Sequence, residues 1–192
     1  AGYIGAHVAK ELLLKGQNIV VLDNLITGYK ETIDVLIAES NKSEGSLHFI
    51  KGDTSDSKLL TLILNEYHVK SVVHLAAFSQ VGESMQNPGK YFDNNVARVI
   101  NLLDCMAFSG VKYLVFSSSA AVYGEPLELP ITEEHPTKPT NVYGASKRMV
   151  EELLMWYDSI YGIKHISLRY FNAAGADASG LIGECHKPET HL

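Results

Sequence analysis

The sequence has 192 residues, 46% of them hydrophobic and 20% charged, with a formal net charge of −6. That length can bury one substantial core, and the acidic balance gives no footing for nucleic acid, whose partners carry a basic footprint. Cys105 and Cys185 are too few for a disulfide framework, and no apolar run approaches the roughly 18 residues of a membrane span, so a reducing cytoplasm is the expected setting.

The chain opens at Ala1-Gly2-Tyr3-Ile4-Gly5, the latter part of a Gly-x-x-Gly-x-x-Gly turn. The strand that feeds such a turn and its first glycine are expected to be missing, and the chain reads as cut at both ends. Ile4, Val8 and Leu12 have helical spacing over residues 4–14, with Gly16 as a stop. Asn18-Ile19-Val20-Val21-Leu22-Asp23 reads as a buried parallel strand ending in an acid. Residues 24–28 form a polar loop, a helix follows, and residues 39–46 read as solvated loop.

Leu47-His48-Phe49-Ile50-Lys51 reads as the next strand, ended by Gly52-Asp53. Ser55 or Asp56 caps a helix running to about Tyr67. Strands are then expected over residues 71–77, 112–118 and 165–171. Helices are expected over 91–106, with Val96, Val99, Ile100 and Leu103 on one face, and over 141–161. Strand and helix alternate throughout. The predicted class is therefore α/β, a doubly wound parallel sheet covered on both faces and lacking its first strand. Ligands of such sheets bind at the carboxyl ends of the strands, where Asp23, Asp53, Ser79, Ser117 to Ser119 and Asn172 fall.

Tyr143 and Lys147, four residues apart, share one helix face. A lysine ammonium beside a phenol favours the phenolate, which can then act as a base near neutral pH. The bland alternative makes Tyr143 a packing residue and Lys147 a solvated one. Gly2 and Gly5 permit close approach of backbone to a pyrophosphate at a helix N-terminus. Asp23, 21 residues after Gly2, can accept from both ribose hydroxyls and repel a 2′-phosphate, favouring NAD over NADP. A turn aspartate is the alternative there and at Asp53, which otherwise meets the adenine. Ser119 can bridge a sugar hydroxyl and Tyr143, or can simply satisfy backbone in a serine turn. Cys185, His186, Glu189 and His191 match no closed zinc spacing, so no metal is expected.

Together these segments resemble the extended short-chain dehydrogenase/reductase family, and its UDP-hexose epimerases in particular. The resemblance rests on the opening Ala1-Gly2-Tyr3-Ile4-Gly5 with His7, on Val21-Leu22-Asp23-Asn24-Leu25, and on His74-Leu75-Ala76-Ala77 followed by Val81-Gly82-Glu83-Ser84. It continues through Asn94-Asn95-Val96, the run from Phe116 to Gly124, Tyr143-Gly144-Ala145-Ser146-Lys147 and the run from Leu168 to Ala176. Some members carry a lysine where Ser79 stands.

The resemblance implies an NAD-binding domain over residues 1–170 and the start of a UDP-sugar-binding domain over 171–192. It places the backbone of Tyr3 and Ile4 at the pyrophosphate, and Asp23, Asn24, Leu25, Ile26, Thr27 and Gly28 around the adenosine ribose. Asp53 and Thr54 would meet the adenine, and Leu75, Ala76, Ala77, Ser79 and Asn95 would line the cofactor. Ser119, Tyr143 and Lys147 would be catalytic, with Phe171 on the nicotinamide side. Asn172, with Ser119 and Tyr143, would touch the UDP-sugar, and His191 and Leu192 would begin a loop toward the uridine diphosphate. The implied reaction is reversible 4-epimerisation of UDP-glucose and UDP-galactose through a 4-keto sugar, in galactose metabolism. The implied assembly is a homodimer paired through the helices near 91–106 and 141–161.

Epimerases of other nucleotide sugars, such as UDP-glucuronate or the UDP-N-acetylhexosamines, are close competitors, and two further rivals stand beside them. A nucleotide-sugar 4,6-dehydratase needs an added acid and base, and similar dehydratases place Asp-Glu where Ala120-Ala121 stand here. A non-catalytic NAD-binding module would be favoured by loss of the serine, tyrosine or lysine, and all three are present.

Overall fold

The computed structural model describes residues 1–185. Five strands pair in parallel, as the alternation of elements requires, in two sheets. The chain divides into two units, residues 1–53 with the segment from 172 on, and residues 54–171.

The first unit begins with α1 (Tyr3–Leu14), β1 (Ile19–Asp23), α2 (Lys30–Ser40) and β2 (Leu47–Lys51). The two strands pair in register from Ile19 opposite Leu47 to Asp23 opposite Lys51. Ala6 and Ala9 of α1, Ile33 and Leu36 of α2, and Ile182 form its core, with Ile19, Val21, Leu47 and Phe49 packed on it. Small residues on α1 let the helices close on the sheet. Lys10 bonds Asp177 at 2.7 Å and the Tyr3 hydroxyl donates to Gly175 O at 2.7 Å, tying the segment after residue 172 to α1.

The second unit contains α3 (Ser57–Glu66), β3 (Ser71–His74), α4 (Val81–Gln86), α5 (Pro88–Phe92), α6 (Arg98–Ser109), β4 (Tyr113–Ser119), α7 (Val142–Tyr161) and β5 (Lys164–Tyr170). The strand order is β3-β4-β5. Asp56 caps α3 through Leu59 N at 3.0 Å, and Asn141 caps α7 through Gly144 N at 2.8 Å. Leu114 and Phe116 of β4, Leu102 and Leu103 of α6, and Val150 and Leu154 of α7 are buried.

Three expectations change. β3 ends at His74 rather than residue 77, because its ladder with β4 stops at the pair His74–Phe116. The helix expected over 91–106 is instead α5, a π-helical stretch at Asp93–Ala97, and α6. A single extra residue per turn of this kind re-aims side chains, and here it buries Asn95. Finally, one face of the three-stranded sheet is open: Tyr113 and Ile166 are 61% exposed and Val73 and Leu168 nearly 40%. Both faces were expected to be covered.

Candidate active site

The site is built around the carboxyl end of β4. Its last three residues, Ser117, Ser118 and Ser119, meet three successive turns of α7. The Ser119 hydroxyl faces the Tyr143 phenol closely enough to favour its phenolate, Lys147 Nζ donates to Ser117 O at 2.7 Å, and Ser118 Oγ donates to Glu151 Oε1 at 2.6 Å. Residues 143, 147 and 151 recur every four positions and therefore line one helix face. Close approach at the start of α7 makes this possible. A Cβ on Gly144 would lie 2.4 Å from Ala121 O, so any side chain there would push the helix away from the turn after β4.

The turn reading of Ser119 holds. Its Oγ accepts from Ala121 N at 3.1 Å, capping the short 3-10 turn Ala120–Val122. Its own proton is thereby left for the phenol oxygen, a bond that favours the phenolate. Lys147 is 2% exposed, which removes the solvated alternative. Burial lowers its pKa to about 7. Its Nζ lies 5.0 Å from the Phe116 ring centroid and 5.8 Å from that of Tyr143.

The expected depression of the tyrosine pKa is corrected. Burial raises the Tyr143 phenol above its ordinary value, and only the Ser119 bond opposes this. Desolvation of the phenolate is the largest influence on it. His74, at the end of β3, is buried against Phe116 with ring centroids 6.2 Å apart. Burial, with Lys147 nearby, holds it neutral with a pKa of about 3.

In the same unit Leu75, Ala76, Ala77 and Ser79 lie in the loop after β3. Asn95 fixes that loop, accepting from Phe78 N at 3.0 Å and donating to Phe78 O at 2.9 Å. A second Asn95 donor reaches Ser146 Oγ at 3.2 Å. The amide thus serves the protein scaffold, whatever else it contacts. Thr54 O accepts from Asn101 Nδ2 at 2.5 Å. Phe171 follows β5 and is 63% exposed.

The first unit holds the other candidates. Gly2 is the N-cap of α1, with Tyr3, Ile4 and Gly5 in its first turn and no side chain capping it. Asp23 accepts from Leu25 N at 2.7 Å. Leu25 adopts a left-handed φ of 61°, and Ile26 N bonds Asn24 Oδ1 at 3.0 Å, so residues 24–28 turn tightly. Asn24 Nδ2 donates to Asp53 Oδ2 at 2.6 Å, joining the ends of β1 and β2. Ile26 and Thr27 are exposed, Gly28 is half-buried, and Asn172 is exposed. His191 and Leu192, with His186 and Glu189, lie outside the described residues.

Sequence reasoning missed Glu151, Arg169 and Ser84. Arg169 grips Glu151 through Nε at 3.0 Å and Nη2 at 2.7 Å, and its Nη1 reaches the Tyr123 hydroxyl at 3.0 Å. The four-residue step from Lys147 to Glu151 was a usable signal for that pair. Ser84 lies in the Val81-Gly82-Glu83-Ser84 run that carries the resemblance, but nothing local marks its partner, 59 residues away.

A family model described as GDP-mannose 4,6 dehydratase matches residues 1–181, and the chain belongs to that family. Among curated relatives, a UDP-glucose 4-epimerase of Lacticaseibacillus casei is 48% identical over 192 residues, which are 100% of this chain and 55% of that protein. Among solved structures, the UDP-glucose 4-epimerase of Brucella ovis in complex with NAD superposes with a TM-score of 0.91 at 42% identity, covering 100% of this chain and 56% of the other. That of Bifidobacterium longum, in complex with NAD+ and UDP, gives 0.91 at 39% identity, covering 96% and 55%. The chain spans about half the length of the curated relatives it matches. The two parallel sheets and their helices are those of the Rossmann-like domain in these structures.

Proposed function

We propose that this chain belongs to an enzyme that interconverts UDP-glucose and UDP-galactose by inversion at C4, with NAD as cofactor, in galactose metabolism. The observation that carries this is the convergence of Ser119, Tyr143 and the buried Lys147, whose Nζ bonds Ser117 O, at the carboxyl end of β4.

The residues present fit NAD. The first amides of α1 have no side-chain cap, which suits a diphosphate. Among the described residues, nothing beyond its chain neighbours lies within 4 Å of a Cβ built on Gly2, which leaves room beside the helix start for a diphosphate. Asp23 at the end of β1 suits ribose hydroxyls. Gly2, Tyr3, Ile4, Gly5, the residues 23–28, Asp53 and Thr54 would hold the adenosine diphosphate. Leu75, Ala76, Ala77, Ser79, Asn95, Lys147 and Phe171 would hold the rest. When bound, NAD supplies a reversible acceptor for the C4–H bond, so that the sugar passes through a 4-keto form.

The chain's own residues move the proton. The Tyr143 phenolate oxygen takes it from the sugar 4-hydroxyl, and Ser119 Oγ, donating to that oxygen, steadies the charge. A phenolate at Tyr143 would favour the protonated form of the nearby Lys147. The same phenol returns the proton to the oxygen after the sugar has presented its other face. Asn172 would contact the UDP-sugar, with His191 and Leu192 towards the diphosphate. Residues 1–170 are assigned to the cofactor and 171–192 to the start of the sugar-nucleotide domain.

The family description names a dehydratase, so that reading keeps a place. Ala120 and Ala121 follow Ser119 where an acid pair would be needed, which favours epimerisation. Homodimerisation of the whole protein is supported by an apolar stripe on α7, where Met149 is 44% and Trp156 and Ile160 each 65% exposed. No helix among the described residues is long and apolar enough to cross a membrane. A cytoplasmic setting is proposed from the two free cysteines.

The test uses full-length protein. Tyr143→Phe should lower turnover of UDP-galactose by roughly 10²–10⁴-fold while co-purified NAD stays near one per subunit. Unchanged turnover removes Tyr143 from the chemistry. Loss of water from GDP-mannose or dTDP-glucose without epimerisation would instead select the dehydratase.

A further inference from the structure

We propose that Ser84 is a positioning residue for Tyr143; this rests on the role given to Tyr143 above. Helix α7 starts with amide donors that have no partner inside the helix. Asn141 caps one of them, Gly144 N, through Oδ1 at 2.8 Å. Tyr143 N is another, and it donates to Ser84 Oγ at 3.1 Å.

Ser84 belongs to α4, is 0% exposed, and passes its own proton to Val81 O at 2.6 Å. Its oxygen is thus aimed with its lone pairs towards α7. Nor can α4 drift, because the buried Tyr91 hydroxyl donates to Gln80 O at 2.7 Å and bonds Glu83 Oε2 at 3.0 Å. On the other side of the same residue, Tyr143 O accepts from Ser146 Oγ at 2.7 Å. The backbone of Tyr143 is held at both ends, and its phenol can swing only through its own side-chain torsions. Without the Ser84 oxygen, a buried amide loses its partner and the first turn of α7 can shift relative to Ser119.

A misplacement of about 1 Å at a reacting group costs on the order of 10²-fold. In full-length protein, Ser84→Ala should therefore lower kcat by roughly 10- to 10²-fold. KM for UDP-galactose and NAD content should stay within about twofold, and the acidic limb of the pH profile should move as the phenol's bond to Ser119 loosens. Ser84→Thr, which keeps the hydroxyl, should recover most of the rate. If Ser84→Ala does not fold, Ser84→Cys, of similar volume but a poor acceptor, is read in its place. Parental kcat in the folded variant, or an equal loss of kcat, NAD content and sugar affinity, overturns the inference. Tyr143→Phe is assayed alongside. If it retains turnover, the reading of Tyr143 fails; if it is dead while Ser84→Ala is normal, only the role of Ser84 fails.

Discussion

At the scale of single residues, two buried bases on neighbouring elements shape the site. Burial and the charge of Lys147 hold His74 neutral with a pKa of about 3, below its unfolded value of 6.5. Between those values the unfolded chain binds more protons, so stability is complete above pH 6.5 and falls as pH drops towards 3. Lys147 runs from about 7 when folded to 10.5 when unfolded. Its burial costs most below pH 7, and stability rises as pH climbs from 7 to 10.5. A tenfold difference in proton affinity between the folded and unfolded chain corresponds to about 1.4 kcal/mol, so His74 alone should contribute a loss of a few kcal/mol in acid. Urea denaturation of the parent and of His74→Gln between pH 4 and 7 checks this. The variant should lose less stability on acidification, and parallel curves would show that His74 does not titrate on unfolding.

At the scale of elements, α7 is locked to the sheet by one ion pair as well as by packing. Arg169 on β5 grips Glu151 with two bonds, and its guanidinium carbon lies 4.8 Å from the Tyr123 ring centroid. The two side chains are 24% and 13% exposed, so removing one leaves the other largely without water. Arg169→Met should cost about 3 kcal/mol by stranding the Glu151 carboxylate. Arg169→Lys should recover only part, because an ammonium cannot make the paired contact. Denaturant midpoints measure both, and a parental midpoint for Arg169→Met would show that the pair contributes nothing net. The π-helical stretch at Asp93–Ala97 acts at this scale too. It turns Asn95 inward so that one amide serves both the loop after β3 and α7.

At the scale of the molecule, apolar surface is left open. In the unit spanning residues 54–171, Val73, Ile166 and Leu168 line an uncovered sheet face, and Trp156 and Ile160 project from α7. Contiguous apolar surface of this kind is normally buried by another part of a protein or a partner. The 192 residues expressed alone should therefore bind a hydrophobic dye strongly and show no measurable epimerisation of UDP-galactose. Steady turnover with no dye binding would show that this chain needs nothing more.

Much of this was legible in the residues themselves. Alternating apolar strands and amphipathic helices are local patterns, so the α/β class, the parallel pairing and a cap at Ser55 or Asp56 could be read directly. So could the Tyr143–Lys147 face, because a step of four is a property of any helix. The tertiary structure decided what depends on neighbours distant along the chain. Whether Lys147 is solvated, whether the phenol's proton is held more or less tightly, where β3 stops and what satisfies Tyr143 N are matters of desolvation and hydrogen bonding between elements. Spacing carries no information about the dielectric around a charge or about a serine 59 residues away that completes a helix's first turn.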